Sequence, residues 1–119
     1  MKKIIALTGI LVLAISISYP TMAQEKKKNY EEVQIQTSAV CGMCEDRIET
    51  NISFEKGVKK VQLNDDTKIV TIGYDPRKTA PEKLRTAISK LGYDADDKPA
   101  DSAAHAKLPA CCQKGSKPH

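Results

Sequence analysis

Hydrophobic and polar positions change period several times along this chain, and each change marks an element. From Glu31 to Ser38 the residues Val33, Ile35 and Thr37 alternate with Glu32, Gln34 and Gln36, the period of a strand with one buried face. After the loop Ala39-Val40-Cys41-Gly42-Met43-Cys44, in which Gly42 permits a tight bend, Cys44, Ile48 and Ile52 recur every fourth residue. That spacing puts all three on one side of a helix, predicted from Glu45 to Phe54. Glu45 and Asp46 suit the positive end of the helix dipole, and Gly57 ends the element. Period two returns at Val61 and Leu63, passes the turn Asn64-Asp65-Asp66-Thr67, and continues through Val70, Ile72 and Tyr74, which predicts a hairpin closed by Asp75-Pro76. Thr79-Ala80-Pro81-Glu82 then opens a second helix, with Thr79 as its cap, Pro81 in the first turn and Glu82 completing a capping box. Leu84, Ile88 and Leu91 form its buried stripe, Gly92 stops it, and Tyr93 to Asp97 is predicted as a short last strand.

The order strand, helix, strand, strand, helix, strand defines an α+β fold, a ferredoxin-like βαββαβ sandwich. It has a four-stranded antiparallel sheet with both helices on one face. From Lys98 onward Pro, Ala, Ser, Lys and Gly dominate without an apolar period, which predicts a flexible C-terminal tail over 98–119.

The N-terminus has the layout of an address. Lys2 and Lys3 precede the almost wholly apolar run Ile4 to Ile17, and Thr21-Met22-Ala23 supplies small residues for cleavage. Residues 1–23 are therefore expected to be a secretory signal peptide, cut after Ala23, and 24–30 a solvated arm. The apolar run is shorter than the roughly 18 to 20 residues that a membrane-spanning helix needs, and an uncleaved signal that tethers the protein to the membrane is the alternative. Cleavage leaves 96 of the 119 residues, enough for one small domain over 31–97 followed by the tail. The expected location is periplasmic or secreted. The formal charge of +4 includes the two leader lysines, and the rest is spread over interleaved Lys, Asp and Glu. With no basic face and only Tyr30, Phe54, Tyr74 and Tyr93 as aromatics after the leader, nucleic acid is not an expected partner.

The chemistry lies in the four cysteines, which fall into two pairs, Cys41 with Cys44 and Cys111 with Cys112. Two residues between the first pair allow both sulfurs to face one point, the first on a loop and the second in the first turn of a helix. Backbone N–H groups and the helix dipole there favour a thiolate, expected at Cys44. Thiolates are soft ligands, and no histidine lies in the loop, so soft ions are favoured over calcium, magnesium or manganese. A structural zinc site takes four protein ligands and this loop offers two, so zinc and cadmium are disfavoured against copper(I) and mercury(II). Cys41 and Cys44 are thus the predicted metal ligands. A plain disulfide and a thioredoxin-like redox pair are the competing readings, the latter weakened by the absence of a preceding Trp and an internal Pro. Cys111 and Cys112, with His105 and His119 nearby, are accessory ligand candidates, against a disulfide to the main loop or incidental thiols. Neighbouring side chains in an extended segment point opposite ways, and a bond between adjacent cysteines is strained. No Ser-His-Asp set, paired catalytic carboxylates, Walker loop or dinucleotide glycine pattern occurs, so an enzyme is not expected.

Taken together, Cys41-x-x-Cys44, Ile48-Glu49, Ile52, Gly57-Val58, Val61, Leu63, Val70, Ile72, Tyr74-Asp75 and Leu91-Gly92-Tyr93 resemble a heavy-metal-associated domain. This is the module of copper chaperones, of N-terminal domains of metal-exporting ATPases and of the periplasmic mercury-binding protein. The resemblance departs at Ser38-Ala39-Val40, where the family usually has Gly-Met-Thr or Gly-Met-Ser and a buried methionine props the loop. Zinc-selective members often carry Asp where Val40 stands. The resemblance implies a monomeric, exported carrier that holds Hg(II) or Cu(I) between Cys41 and Cys44. It would pass the ion by ligand exchange to a membrane metal transporter or another thiol-rich protein. It also implies that Tyr93 lies beside the loop, while the residue alone reads equally as a core tyrosine with an exposed hydroxyl. A small periplasmic thiol-disulfide redox protein remains the alternative.

Overall fold

A computed structural model describes residues 29–115. The predicted signal peptide 1–23, most of the arm and His119 lie outside the described residues. The elements run β1 (Glu31–Gln36), α1 (Gly42–Ser53), β2 (Val58–Leu63), β3 (Ile69–Tyr74), α2 (Pro81–Leu91) and α3 (Ser102–Ala106), followed by a 3-10 turn at Ala110–Cys112. The predicted strand and helix positions reappear in order from β1 to α2.

β3 is the middle strand of an antiparallel sheet ordered β1-β3-β2. Its register sets Val33 and Val61 opposite Ile72, and Ile35 and Leu63 opposite Val70. The alternation read from the sequence thereby gathers these six side chains on one face. Cys44, Ile48 and Ile52 of α1 and Leu84 and Ile88 of α2 close over that face in a single core. Each such Ile or Leu contributes about 1.5 to 3 kcal/mol on leaving water. Both helices must therefore lie on the same side of the sheet.

The sheet has three strands where the sequence predicts four. Ala95 makes only isolated bridges, to Thr37 and to Lys98. The cause is Asp96, which takes a left-handed conformation (φ 55°) and turns the chain before a ladder can form. Its side chain partly replaces that ladder: Gln36 N donates to Asp96 Oδ1 at 2.8 Å, and Asp96 N donates to the Gln36 carbonyl at 2.8 Å. Arg85 pairs with the other carboxylate oxygen at 2.8 Å. Two helix starts also differ. α1 begins at Gly42, because the Cys41 carbonyl already accepts the N–H groups of Cys44 and Glu45. α2 is capped by the extended backbone of Ala80, with no side-chain bond from Thr79.

The larger difference is the tail. In place of the flexible segment expected over 98–119, the described part of it, to residue 115, packs against the end of α2, and 116–119 lie outside the described residues. Asp101 N and Ser89 Oγ bond across this junction, to Ser89 O at 2.9 Å and to Pro99 O at 2.8 Å. Asp101 caps α3 by accepting from Ala104 N. Gly92, at φ 104°, ends α2 and lets α3 approach, and the Gly92 carbonyl lies 3.1 Å from His105 Nδ1, which must carry the proton to bond there. Leu108 then enters the core. Composition missed this because the docking uses one buried leucine and polar bonds to α2, which leave no hydrophobic period.

Candidate metal centre

The loop between β1 and α1 is tied down where it leaves β1. Thr37 donates from its backbone N and its hydroxyl to the Lys68 carbonyl, at 3.0 and 2.8 Å, and Ser38 Oγ accepts from Asp94 N at 2.9 Å. Ala39, where the family resemblance expects a propping methionine, is buried in the core. Cys41 sits in extended backbone as the N-cap of α1, and Cys44 lies in the first turn, so the two-residue spacing swings both sulfurs to one side. Their Sγ atoms are 3.5 Å apart and not bonded.

The tail brings the second pair to the first. The Cys112 sulfur lies 4.0 Å from that of Cys41 and the Cys111 sulfur 4.0 Å from that of Cys112. Cys41, Cys111 and Cys112 have sulfurs all within 4.8 Å of one another. The expectation that neighbouring side chains diverge fails here, since Ala110–Cys112 is a 3-10 turn instead of an extended segment. All four cysteines are free thiols, so neither a disulfide within a pair nor one from tail to loop is present. On the outer side the Cys111 thiol points to Met43 Sδ at 4.0 Å, and Met43 itself is 52% exposed. His105, near the tail pair in the sequence, is bonded to the end of α2.

The cluster is covered. Cys41 is 7% exposed, Cys44 0% and Cys112 1%, with Cys111 partly buried. A two-ligand loop open at the surface was the sequence expectation; the folded tail shields it. The fold eases the ionisation of the Cys41 thiol. The backbone N–H of Cys44, above all, points at the Cys41 sulfur, and with help from the Cys44 thiol and the Met43 N–H outweighs burial to bring its pKa down to about 7. Burial, and next the Cys44 sulfur, pushes the Cys112 thiol up. Glu45, in the first turn, accepts a 3.0 Å ion pair from Lys68, yet its carboxyl is pushed up, first by a shared hydrogen bond with Asp65 and then by burial.

Tyr93 resolves in favour of the site. It is fully buried, and its hydroxyl makes no hydrogen bond of acceptable geometry. The group lies among the cysteines. Burial foremost, then the sulfurs of Cys44 and Cys112, pushes its pKa up. Leu91-Gly92-Tyr93 in the sequence carried the signal for this residue; the enclosure of its hydroxyl came only with the fold.

A paired-cysteine loop at a helix start, above a three-stranded sheet with both helices on one face, defines a small metal-binding module. Residues 38–94 match the heavy-metal-associated domain, and the chain belongs to that family. Copper-transporting ATPase 1 of Rattus norvegicus is 41% identical over 66 residues, which are 55% of this chain and 4% of the ATPase. The chain thus spans only a small part of the curated relatives it matches. Among solved structures, oxidized MerP from Ralstonia metallidurans CH34 superposes with a TM-score of 0.54 at 26% identity, covering 56% of this chain and 94% of MerP. The CopZ metallochaperone gives a TM-score of 0.53 at 26% identity, covering 55% of this chain and 98% of CopZ.

Proposed function

We propose that this protein is an exported, non-enzymatic carrier of a soft metal ion, Hg(II) or Cu(I), which Cys41 and Cys44 bind as thiolates. The carrying observation is the pair of unbonded sulfurs 3.5 Å apart at the start of α1, one of them with its pKa brought down to about 7. A thiolate that is available near neutral pH binds such ions without a large proton penalty. The ion moves on by ligand exchange, in which a partner's thiolate enters as one of the carrier's leaves, so no free ion enters water. The similarity to a metallochaperone and to a copper-transporting ATPase supports a membrane transporter or another thiol-rich protein as that partner. Export rests on the leader-like residues 1–23, and a monomer is the state this reading assigns.

The test is metal uptake by the reduced protein. One equivalent of Cu(I) or Hg(II) per chain is expected to bind, and Cys41→Ser with Cys44→Ser is expected to abolish tight binding without loss of fold. A protein that takes up neither ion but catalyses insulin reduction is a redox protein instead.

A further inference from the structure

We propose that Cys112, with Cys111 beside it, completes the metal site, so that an ion at the loop is held by three or more sulfurs and the C-terminal segment is a tethered ligand strap. This rests on the carrier reading above and adds to it the coordination number and a role for the tail.

Sulfur spacing carries the inference. With metal–sulfur bonds of about 2.3 Å, two sulfurs facing each other across an ion stand about 4.6 Å apart, three in a plane about 4.0 Å, and four in a tetrahedron about 3.8 Å. The separations here are 3.5 Å for Cys41 and Cys44, 4.0 Å for Cys41 and Cys112, and 4.0 Å for Cys111 and Cys112. The two separations that involve Cys112 match the three-ligand distance, the Cys41–Cys44 separation is shorter than the three- and four-ligand distances, and all three fall short of the linear one. The sulfurs that lie mutually within 4.8 Å are those of Cys41, Cys111 and Cys112. A linear ion would have to push Cys41 and Cys44 apart by about 1 Å in a loop pinned at Thr37 and Ser38 and packed in the core. For that pair a three-sulfur ion needs a shift of only about 0.5 Å.

The second observation is Tyr93. A buried hydroxyl without a partner costs about 1 to 3 kcal/mol, and this one is enclosed beside the sulfurs of Cys44 and Cys112. Neutral thiols are poor acceptors, whereas a metal-bound thiolate carries the negative charge that a phenol hydroxyl donates to readily. Loading the site with thiolates therefore gives the orphan donor its partner. The strap is also held from several directions: Lys114 pairs with Asp94 at 2.7 Å, Leu108 is buried, and α3 rests on Gly92. Cys112 is thus built into the site and is not a loose thiol passing near it.

Two consequences follow. Closed-shell ions that take three or four thiolates, zinc and cadmium included, are no longer disfavoured by ligand count. Handover also requires the strap to yield, with Cys111, partly exposed and next to Met43, as the outermost thiol where an incoming ligand first meets the cluster.

The experiment loads the reduced full chain with one equivalent of Hg(II) and counts sulfur neighbours by X-ray absorption at the mercury edge. The parent is expected to show three or more, and Cys111→Ser with Cys112→Ser two, with its circular dichroism spectrum kept. Two sulfurs in the parent overturn the strap and leave the carrier reading standing, while no uptake at all overturns both. Three sulfurs in the double variant also overturn it, because the third ligand then comes from elsewhere. Should that variant lose its fold, the count in the parent decides alone.

Discussion

The Sγ of Cys112 lies 4.0 Å from the Sγ of Cys41 although 71 positions separate them in the chain. A contact of this kind, closed by a short helix and a 3-10 turn, converts an exposed two-cysteine loop into a covered thiol cluster. Under the carrier reading it would make the rate of metal release depend on a segment beyond the residues matched to the family, which end at 94.

The first prediction concerns that rate. If Cys112 is a ligand, Cys112→Ser removes one bond that an incoming dithiol must otherwise displace. Transfer of Hg(II) from the loaded protein to excess dithiothreitol, followed by stopped flow, is expected to speed up by about tenfold or more, equivalent to about 1.4 kcal/mol of lost retention. An unchanged rate would show that Cys112 does not hold the ion.

Much of this architecture was legible in advance, because the strand and helix periods are strong and local. Ile48 and Ile52 four apart, or Val70 and Ile72 two apart, can each bury only one face. The fourth strand failed on a single backbone choice at Asp96, whose left-handed φ no hydrophobic pattern encodes. The pair Cys41 and Cys44 could be read from spacing, since two intervening residues at a helix start fix the geometry. Joining Cys111 and Cys112 to it could not. That contact depends on Gly92 admitting α3, on His105 bonding the end of α2 and on Leu108 reaching the core, and none of these leaves a periodic trace.

Proton release gives the second prediction. The Cys41 pKa is lowered to about 7 by the N–H groups of Cys44 and Met43 and by neighbouring thiols. The deprotonated form is therefore favoured above pH 7 and lost below it. The ultraviolet thiolate absorbance of the reduced apoprotein should show a first step centred near pH 7 that disappears in Cys41→Ser. Metal affinity should weaken by about tenfold per pH unit below that point for this proton alone, and should lose that dependence above it. A first step at the ordinary thiol pKa, about 8.5, would contradict the geometry.

Tyr93 supplies the third, with opposite signs in the two states. Tyr93→Phe removes a buried hydroxyl that has no partner in the metal-free protein, so the apoprotein should gain about 1 kcal/mol in a urea titration. The same change removes a donor to a charged sulfur in the loaded protein, a bond of about 1.5 to 3 kcal/mol, so Hg(II) or Cu(I) affinity should fall by about 10- to 100-fold in a chelator competition. Equal effects in both states would reduce Tyr93 to a packing residue.

The last prediction separates the position of the strap from its sulfurs. Gly92 sits at φ 104°, and a Cβ there would come within 3.0 Å of the Ala104 carbonyl and of His105 N. Gly92→Ala therefore carries a left-handed backbone cost of about 1 to 2 kcal/mol and must also push α3 away, since backbone atoms cannot yield as a flexible side-chain tip does. Gly115 offers the control. It too has a positive φ, 81°, but a Cβ there meets nothing within 4 Å, so Gly115→Ala bears the conformational term alone. Both variants should lose stability in a thermal melt, and Gly92→Ala should lose more. Only Gly92→Ala should also lower the sulfur count around bound Hg(II), because displacing α3 draws Cys111 and Cys112 from Cys41 while leaving all four thiols in the chain. If Gly92→Ala melts early yet keeps the parent's count, the strap is held by contacts other than its seat on α2, and the docking derived for α3 is wrong even if Cys112 binds the ion.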